Sequence, residues 1–219
     1  MLKKIITSVH KSTKRNYLQR VNSIDKSEAA KKAIKWGYDY WDGSRKTGYG
    51  GYYYDGRWKK VASELIKNYK LKPKFKILDV GCGKGFLLHD LKELIPELEV
   101  YGLDISKYAL RKAMPSIKKK CVFGSAEKLP FKSNFFDLVI SINTLHNLYN
   151  YQLGSALNEI SRVSKNNAFI CIEAYRNEKE KMNLMYWQLT CRAILKPEEW
   201  KHLFKVNSYK SDYEFIYFN

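Results

Sequence analysis

The sequence is poor in acid: 219 residues hold 22 Asp and Glu against 40 Lys and Arg, a formal net charge of +18. It also lacks any run of about 18 consecutive apolar residues, which excludes a transmembrane helix. The opening, Met1 to Ser8, has neither the continuous apolar stretch nor the small-residue cleavage site of a secretory signal. Cysteine is sparse. Cys82, Cys121, Cys171 and Cys191 never come closer than the 20 residues between the last two. That spacing excludes CxxC zinc ligands and, without an export signal, argues against a disulfide framework. The expectation is a reduced, cytoplasmic protein with no metal site. What remains is enough for a core, since 45% of residues are hydrophobic and 15% aromatic. This length accommodates one medium α/β domain with an appendage.

The positive charge is unevenly placed. Residues 1–75 carry 19 bases and 6 acids, residues 76–175 carry 13 and 10, and residues 176–219 carry 8 and 6. The excess therefore lies ahead of the centre of the chain. That weighs against a nucleic-acid acceptor, although such a charge attracts phosphate backbones. Within the basic segment, Leu2, Ile5, Ile6, Val9, Leu18, Val21 and Ile24 recur at roughly helical spacing among six bases and no acid. Residues 2–24 are thus expected to form a basic amphipathic helix or helix pair, packed on the body or presented to a membrane surface.

Residues 36–58 hold six of the 12 glycines and nine aromatics. Glycine opens backbone geometries closed to other residues, and the aromatics give large contact area with polar tips. The segment reads as a loop that must pack, with Gly48–Trp58 as a lid. A helix is expected from Trp58 to Tyr69. From residue 75 the pattern is strand then helix: 77–80, 100–104, 121–123, 137–142 and 168–173 read as strands, and 213–218 as one more. Helices are expected up to Ile95, over 107–114 and over 152–164. Strands apolar on both faces and separated by helices belong to a parallel sheet covered on both sides. The division expected is a helical and aromatic cap over residues 1–74 and a core over 75–219.

The segment Lys76 to Phe86 carries the chemistry. A strand ending in Asp79 runs into Gly81, Cys82, Gly83, Lys84 and Gly85 and then opens a helix. This is the layout for holding a nucleotide-like ligand at the carboxyl end of a sheet. The glycines read G-x-G-x-G, not the G-x-G-x-x-G of dinucleotide folds, which disfavours a nicotinamide oxidoreductase. Asp104 ends the next strand, 19 residues past Gly85, where a carboxylate can accept both hydroxyls of a ribose. Each piece has a plainer reading: glycines can serve only a tight turn, Asp104 can cap a helix, and Cys82 reads as a small packing residue.

Taken in order, these residues resemble the class I S-adenosylmethionine-dependent methyltransferases of the broad type 11 group, over roughly residues 75–175. The resemblance implies a Rossmann-like α/β fold with a mostly parallel seven-stranded sheet and helices on both faces. It implies S-adenosylmethionine as cofactor and S-adenosylhomocysteine as product. Asp79, Gly81, Cys82, Gly83 and Gly85 would surround the methionine portion, Asp104 would take the ribose hydroxyls, and Ile105 would pack on the adenine. Ser125, Ala126 and Glu127 match the family's adenine segment, with Ser125 where many members have Asp. Asn143 and Thr144 lie in the loop behind the sulfonium.

The acceptor side is less defined. The loop after the fourth strand lacks the Asn/Asp-Pro-Pro-aromatic sequence of many amino-group methyltransferases, which further disfavours nucleic acid. His146 is a candidate general base because its ordinary pKa lies near working pH; a helix-start histidine satisfied by its neighbours is the other reading. Tyr49, Tyr52 and Arg57 are candidate substrate contacts, Arg57 for an anion, unless it pairs with Asp39, Asp42 or Asp55. The Gly48–Trp58 run is similar to a subgroup associated with bacterial surface-glycan and phosphoramidate modification. The function expected is methyl transfer to oxygen or nitrogen of a small molecule, anionic or sugar- or nucleotide-linked. The alternatives are an RNA or other nucleic-acid methyltransferase and a non-catalytic cofactor-binding subunit.

Overall fold

In a computed structural model, which describes residues 1–8 and 15–219, six parallel strands form one sheet. Ahead of it come α1 (Tyr17–Asn22), α2 (Lys26–Ala33), α3 (Tyr38–Trp41) and α4 (Lys59–Tyr69). The alternation then runs β1 (Lys76–Val80), α5 (Phe86–Leu94), β2 (Glu99–Asp104), α6 (Lys107–Arg111), β3 (Cys121–Phe123) and β4 (Leu138–Ile142). It closes with α7 (Asn150–Val163), β5 (Ala168–Glu173), α8 (Glu178–Trp187), α9 (Pro197–Val206) and β6 (Asp212–Ile216). Side-chain caps start several helices: Asp25 accepts from Glu28 N, Ser106 from Ala109 N and Asn177 from Glu180 N.

The strand order is β3-β2-β1-β4-β5-β6. Direction reverses between β1 and β4, and a crevice opens there outside the carboxyl ends of the strands. Alternate residues face opposite layers. Ile77, Val100, Ile140 and Phe169 pack with α4, α5 and the buried Ile5 and Ile6. Leu78, Leu103, Val139 and Ile170 pack with α7 and α9, whose Trp200 is wholly buried.

Two expectations are corrected. The sheet has six strands among the described residues, not seven. At the free edge of β6, Leu2 makes a single parallel bridge to Tyr213, with Lys3 N donating to Tyr213 O at 2.8 Å and Tyr213 N to Met1 O at 3.0 Å. That contact occupies part of the edge where a further strand would add. Nor do residues 2–24 form one amphipathic helix. Ile5 and Ile6 enter the core on a non-helical segment, the first helix among the described residues begins at Tyr17, and Val9 lies outside the described residues. The spacing of Ile5 and Ile6 thus marks burial against α4 rather than helical periodicity. Among the described residues no helix is long and apolar enough to cross a membrane.

Buried Glu214 fixes the opening segment. Its carboxylate accepts the backbone N–H groups of Ile5, Ile6 and Thr7 at 2.7, 2.8 and 2.7 Å, and the Thr7 hydroxyl at 2.5 Å. Glu214→Ala leaves those donors without an acceptor and is expected to cost about 2–3 kcal/mol. Urea unfolding should show a lower midpoint with an unchanged slope. A midpoint equal to that of the wild type would show that the segment finds other acceptors.

Candidate active site

The crevice at the β1/β4 switch point holds a cavity floored by the glycine turn between β1 and α5. Gly81, Gly83 and Gly85 all have left-handed backbone, with φ of +87°, +55° and +73°. Space also demands glycine: a Cβ on Gly81 would strike Thr144, and one on Gly83 would come 2.7 Å from Trp41 Cη2. The turn is therefore covered on one side by the loop after β4 and on the other by the cap.

Asp79, Asp104 and Glu127 line this cavity with Ile105, Ser125 and Ala126. Asp104 accepts Gly83 N and Ser106 N on separate oxygens, each at 2.7 Å. Burial pushes its carboxyl up, against the pull of these backbone bonds. Asp79 differs: no donor among the described residues bonds its side chain, and burial, with the Asp104 charge, raises it to about 7. Ile105 is 52% exposed beside this wall, an apolar side chain presented where a planar base can stack. Ser125 Oγ donates to Glu127 Oε2 at 3.1 Å, and Gln152 donates to the same oxygen at 2.8 Å. Cys82 lines the cavity, but its thiol packs in the floor beside Cys121, over the bare Cα of Gly102. The hydrogen bond with Cys121 and burial push that thiol well up, so it is a packing group rather than a nucleophile.

The far wall is aromatic and amide. Trp36, Tyr40, Trp41, Tyr49, Tyr52 and Trp58 line it from the cap, with Asn143, Thr144 and Asn147 from the loop after β4. Asn143 holds φ of +54° and Trp36 of +51°, and backbone strain of this kind in a bulky residue persists only where the surroundings over-determine it. Ser106 supplies part of that determination, accepting from Trp41 Nε1 at 2.9 Å and donating to Trp36 O at 2.5 Å.

The cap is tied to the glycine turn by a buried ion pair. Lys84, between the last two glycines, reaches both oxygens of Asp42 at 2.6 and 2.8 Å and the carbonyl of Tyr52 at 2.8 Å. The two side chains are 5% and 11% exposed. Burial pushes the Asp42 carboxyl up, but its bonds from Lys84, Tyr52 N and Tyr108 outweigh this and hold it low. Farther out, Tyr54 donates to the buried Asp90 of α5 at 2.5 Å. The Gly48–Trp58 loop thus lies closed on the core.

Tyr49 and Tyr52 do line the cavity, whereas three expected site residues, Gly85, Arg57 and His146, do not. Gly85 serves the turn instead, its bare Cα packed under Ile117 at the start of α5. Arg57 is exposed and paired with Asp55 at 2.6 Å. His146 sits on a short 3₁₀ turn over residues 145–147 that aims Thr144 and Asn147 at the cavity and His146 away from it, against β5. Its Nδ1 accepts from Glu173 N at 3.4 Å, and Nε2 lies 3.5 Å from Glu173 Oε2. Burial lowers it to about 3, so it is a neutral structural imidazole, out of the reach a general base needs. Glu173 is itself buried, which raises its carboxyl to about 8. Trp36, Tyr40, Trp41 and Asn147 were not singled out from the sequence; their only signal was the aromatic density of residues 36–58 and the amides following β4.

Comparison with known proteins agrees with the fold. A methyltransferase-domain family model matches residues 71–208. The chain is 36% identical over 128 residues to a demethylmenaquinone methyltransferase of Symbiobacterium thermophilum, covering 54% of this chain and 50% of that protein. It is 32% identical over 147 residues to a tRNA (carboxymethyluridine(34)-5-O)-methyltransferase of Arabidopsis thaliana, covering 66% and 34%. Of solved structures, the YcgJ protein of a Bacillus superposes with a TM-score of 0.55 at 20% identity, over 67% of this chain and 66% of that one. The chain spans about half or less of the length of the curated relatives it matches.

Removing one member of the ion pair should be costly. Asp42→Asn strands a buried ammonium and is expected to destabilise by about 3–5 kcal/mol. Adding Lys84→Met should return most of the loss. Urea unfolding of both variants checks this, and an Asp42→Asn protein within about 0.5 kcal/mol of wild type would mean that the cap is held by its aromatics alone.

Proposed function

The chain belongs to the methyltransferase-domain family, matched over residues 71–208, and from that membership we propose that it binds S-adenosylmethionine and transfers its methyl group to oxygen or nitrogen of a small molecule. The observation that carries this reading is the pair of carboxylates flanking the glycine turn. Asp79 faces the cavity with no hydrogen-bond donor among the described residues, which fits the ammonium of an amino-acid tail. Asp104 keeps lone pairs beyond its two backbone bonds, which fits a ribose diol. The side-chain-free turn lets a ligand lie against backbone, and Ile105 offers a face for the adenine, with Ser125, Ala126 and Glu127 at its edge.

When bound, the cofactor supplies a methyl group already activated on a sulfonium. The chain's own work is then alignment and exclusion of water. Asn143, Thr144 and Asn147 present amide and hydroxyl groups where the acceptor approaches, and the closed aromatic cap shuts out solvent. Among the described residues no titratable base near neutrality stands on that wall: burial holds Tyr40 well up, and Tyr40, together with burial, holds Tyr49 well up, so both stand as neutral phenols. An acceptor that arrives ionised needs none. This favours an anionic metabolite, in keeping with the sugar- or nucleotide-linked acceptors suggested by the loop's resemblance to glycan- and phosphoramidate-modifying enzymes. A tRNA methyltransferase among the relatives keeps nucleic acid as the second reading; the near balance of 13 bases and 10 acids over residues 76–175 weighs against it.

Calorimetry with S-adenosylhomocysteine tests cofactor binding, and mass spectrometry of a metabolite pool incubated with labelled cofactor tests transfer. Asp104→Ala should weaken S-adenosylhomocysteine at least tenfold, about 1.4 kcal/mol or more; unchanged affinity removes Asp104 from the site.

Asp79 gives the pH dependence. Its free-state pKa is raised to about 7, and an ammonium favours the ionised form, so binding below that pH must expel a proton. Affinity should fall by up to about tenfold per unit from pH 7 to pH 5, and Asp79→Asn should bind weakly without that slope. Because its folded pKa lies above the unfolded one, Asp79 makes the free protein lose stability as pH rises from about 4 to 7, and Asp79→Asn should make that slope shallower, with buried Glu173 and Asp104 supplying the remainder. Equal slopes in both proteins would assign the proton to another group.

A further inference from the structure

A cluster of cations surrounds Trp187, outside the residues that line the cavity. The guanidinium carbons of Arg15, Arg20 and Arg45 lie 4.4, 4.5 and 5.2 Å from the centre of the Trp187 ring. They come from a position two residues ahead of α1, from α1 itself and from the turn between α3 and the Gly48–Trp58 loop. Backbone carbonyls orient two of them: Arg20 Nη1 donates to Arg45 O at 3.1 Å, and Arg45 Nη1 to Tyr49 O at 2.9 Å. Elsewhere carboxylates hold Arg57, Arg162 and Arg176. Among the described residues none pairs with Arg15, Arg20 or Arg45.

The cluster adjoins the cavity through two connections. Tyr49, whose carbonyl fixes Arg45, lines the cavity wall. Three residues after Trp187, Thr190 donates to Asn147 at 2.8 Å, and Asn147 lines the same wall. Burial first, and then the neighbouring arginines, lower the pKa of Arg20 and of Arg45, as like charges held close together do; Arg15 also acts on the buried Glu173.

We propose that Arg15, Arg20 and Arg45 bind the phosphate of a phosphomonoester acceptor, placing its nucleophile at the aromatic wall. This rests on the methyl-transfer reading and adds the acceptor's charge to it. Guanidinium forks match phosphate oxygens bidentately. Convergence on one ring suits a single doubly charged terminal group, whereas a nucleic-acid backbone spreads single charges along a strand and calls for a track of contacts.

The test titrates inorganic phosphate and, separately, S-adenosylhomocysteine into the full chain by calorimetry. Wild type should bind both. The double variant Arg15→Gln/Arg45→Gln, at exposed positions with folding checked by thermal melt, should bind phosphate at least tenfold more weakly and S-adenosylhomocysteine within twofold of wild type. Arg57→Gln should leave both unchanged. Phosphate binding that is absent, or equal in the double variant, overturns the anion site while the cofactor reading stands. Failure of S-adenosylhomocysteine alone overturns the cofactor reading and leaves the anion site. An oligoribonucleotide bound more tightly with length, and lost in the double variant, overturns the phosphomonoester in favour of RNA.

Discussion

The ammonium of Lys84 is out of water in the middle of the glycine turn, and much of the molecule answers to that charge. Asp42 meets it from 42 positions earlier in the chain. To reach it, the cap must lie on the turn, which brings Trp41 over Gly83 and returns the loop so that Tyr52 gives its carbonyl to the same lysine. Tyr108 of α6 bonds the other side of Asp42, so three separate segments share one buried charge. Breaking such a pair is costly because the survivor stays desolvated. The cap and the glycine turn therefore behave as one body, although they lie in different parts of the chain.

That union explains how the cavity comes to have two chemical ends. The sheet supplies the acids, because Asp79 and Asp104 sit at the carboxyl ends of adjacent strands, where the crevice opens. The cap supplies aromatic surface, which excludes water and carries no titratable base near neutrality. The reaction proposed needs little else: a reactive donor, an aligned acceptor and a dry space between them. Charge recognition is left to the rim, where the arginines stand around Trp187.

The β1 strand, its glycine turn and Asp104 were legible in the sequence because they depend on local spacing: a strand, a turn and a helix must follow one another for the geometry to exist. The four internal strands, β1, β2, β4 and β5, were legible for the same reason, being apolar runs. What could not be read depends on long-range pairing. Nothing adjacent to Asp42 says that it meets Lys84, and nothing near Leu2 says that it bridges to Tyr213, 211 residues on. His146 misled because its position after β4 suggested the cavity, whereas the 3₁₀ turn sends alternate side chains to opposite sides. Arg57 misled because its partner, Asp55, was only one of three nearby acids. The arginines around Trp187 left no trace in the sequence beyond a basic amino-terminal half.

The contact between Gly83 and Trp41 also bears on how this protein can diverge. A Cβ at position 83 would lie 2.7 Å from the indole, so the two positions share one volume and neither is free while the other is kept. Descendants that enlarge residue 83 must first shrink residue 41, and the glycine is kept as much by the cap as by any ligand. Across a set of related sequences, the two positions should therefore vary together, and chains without the tryptophan are where a larger residue in the turn should be found.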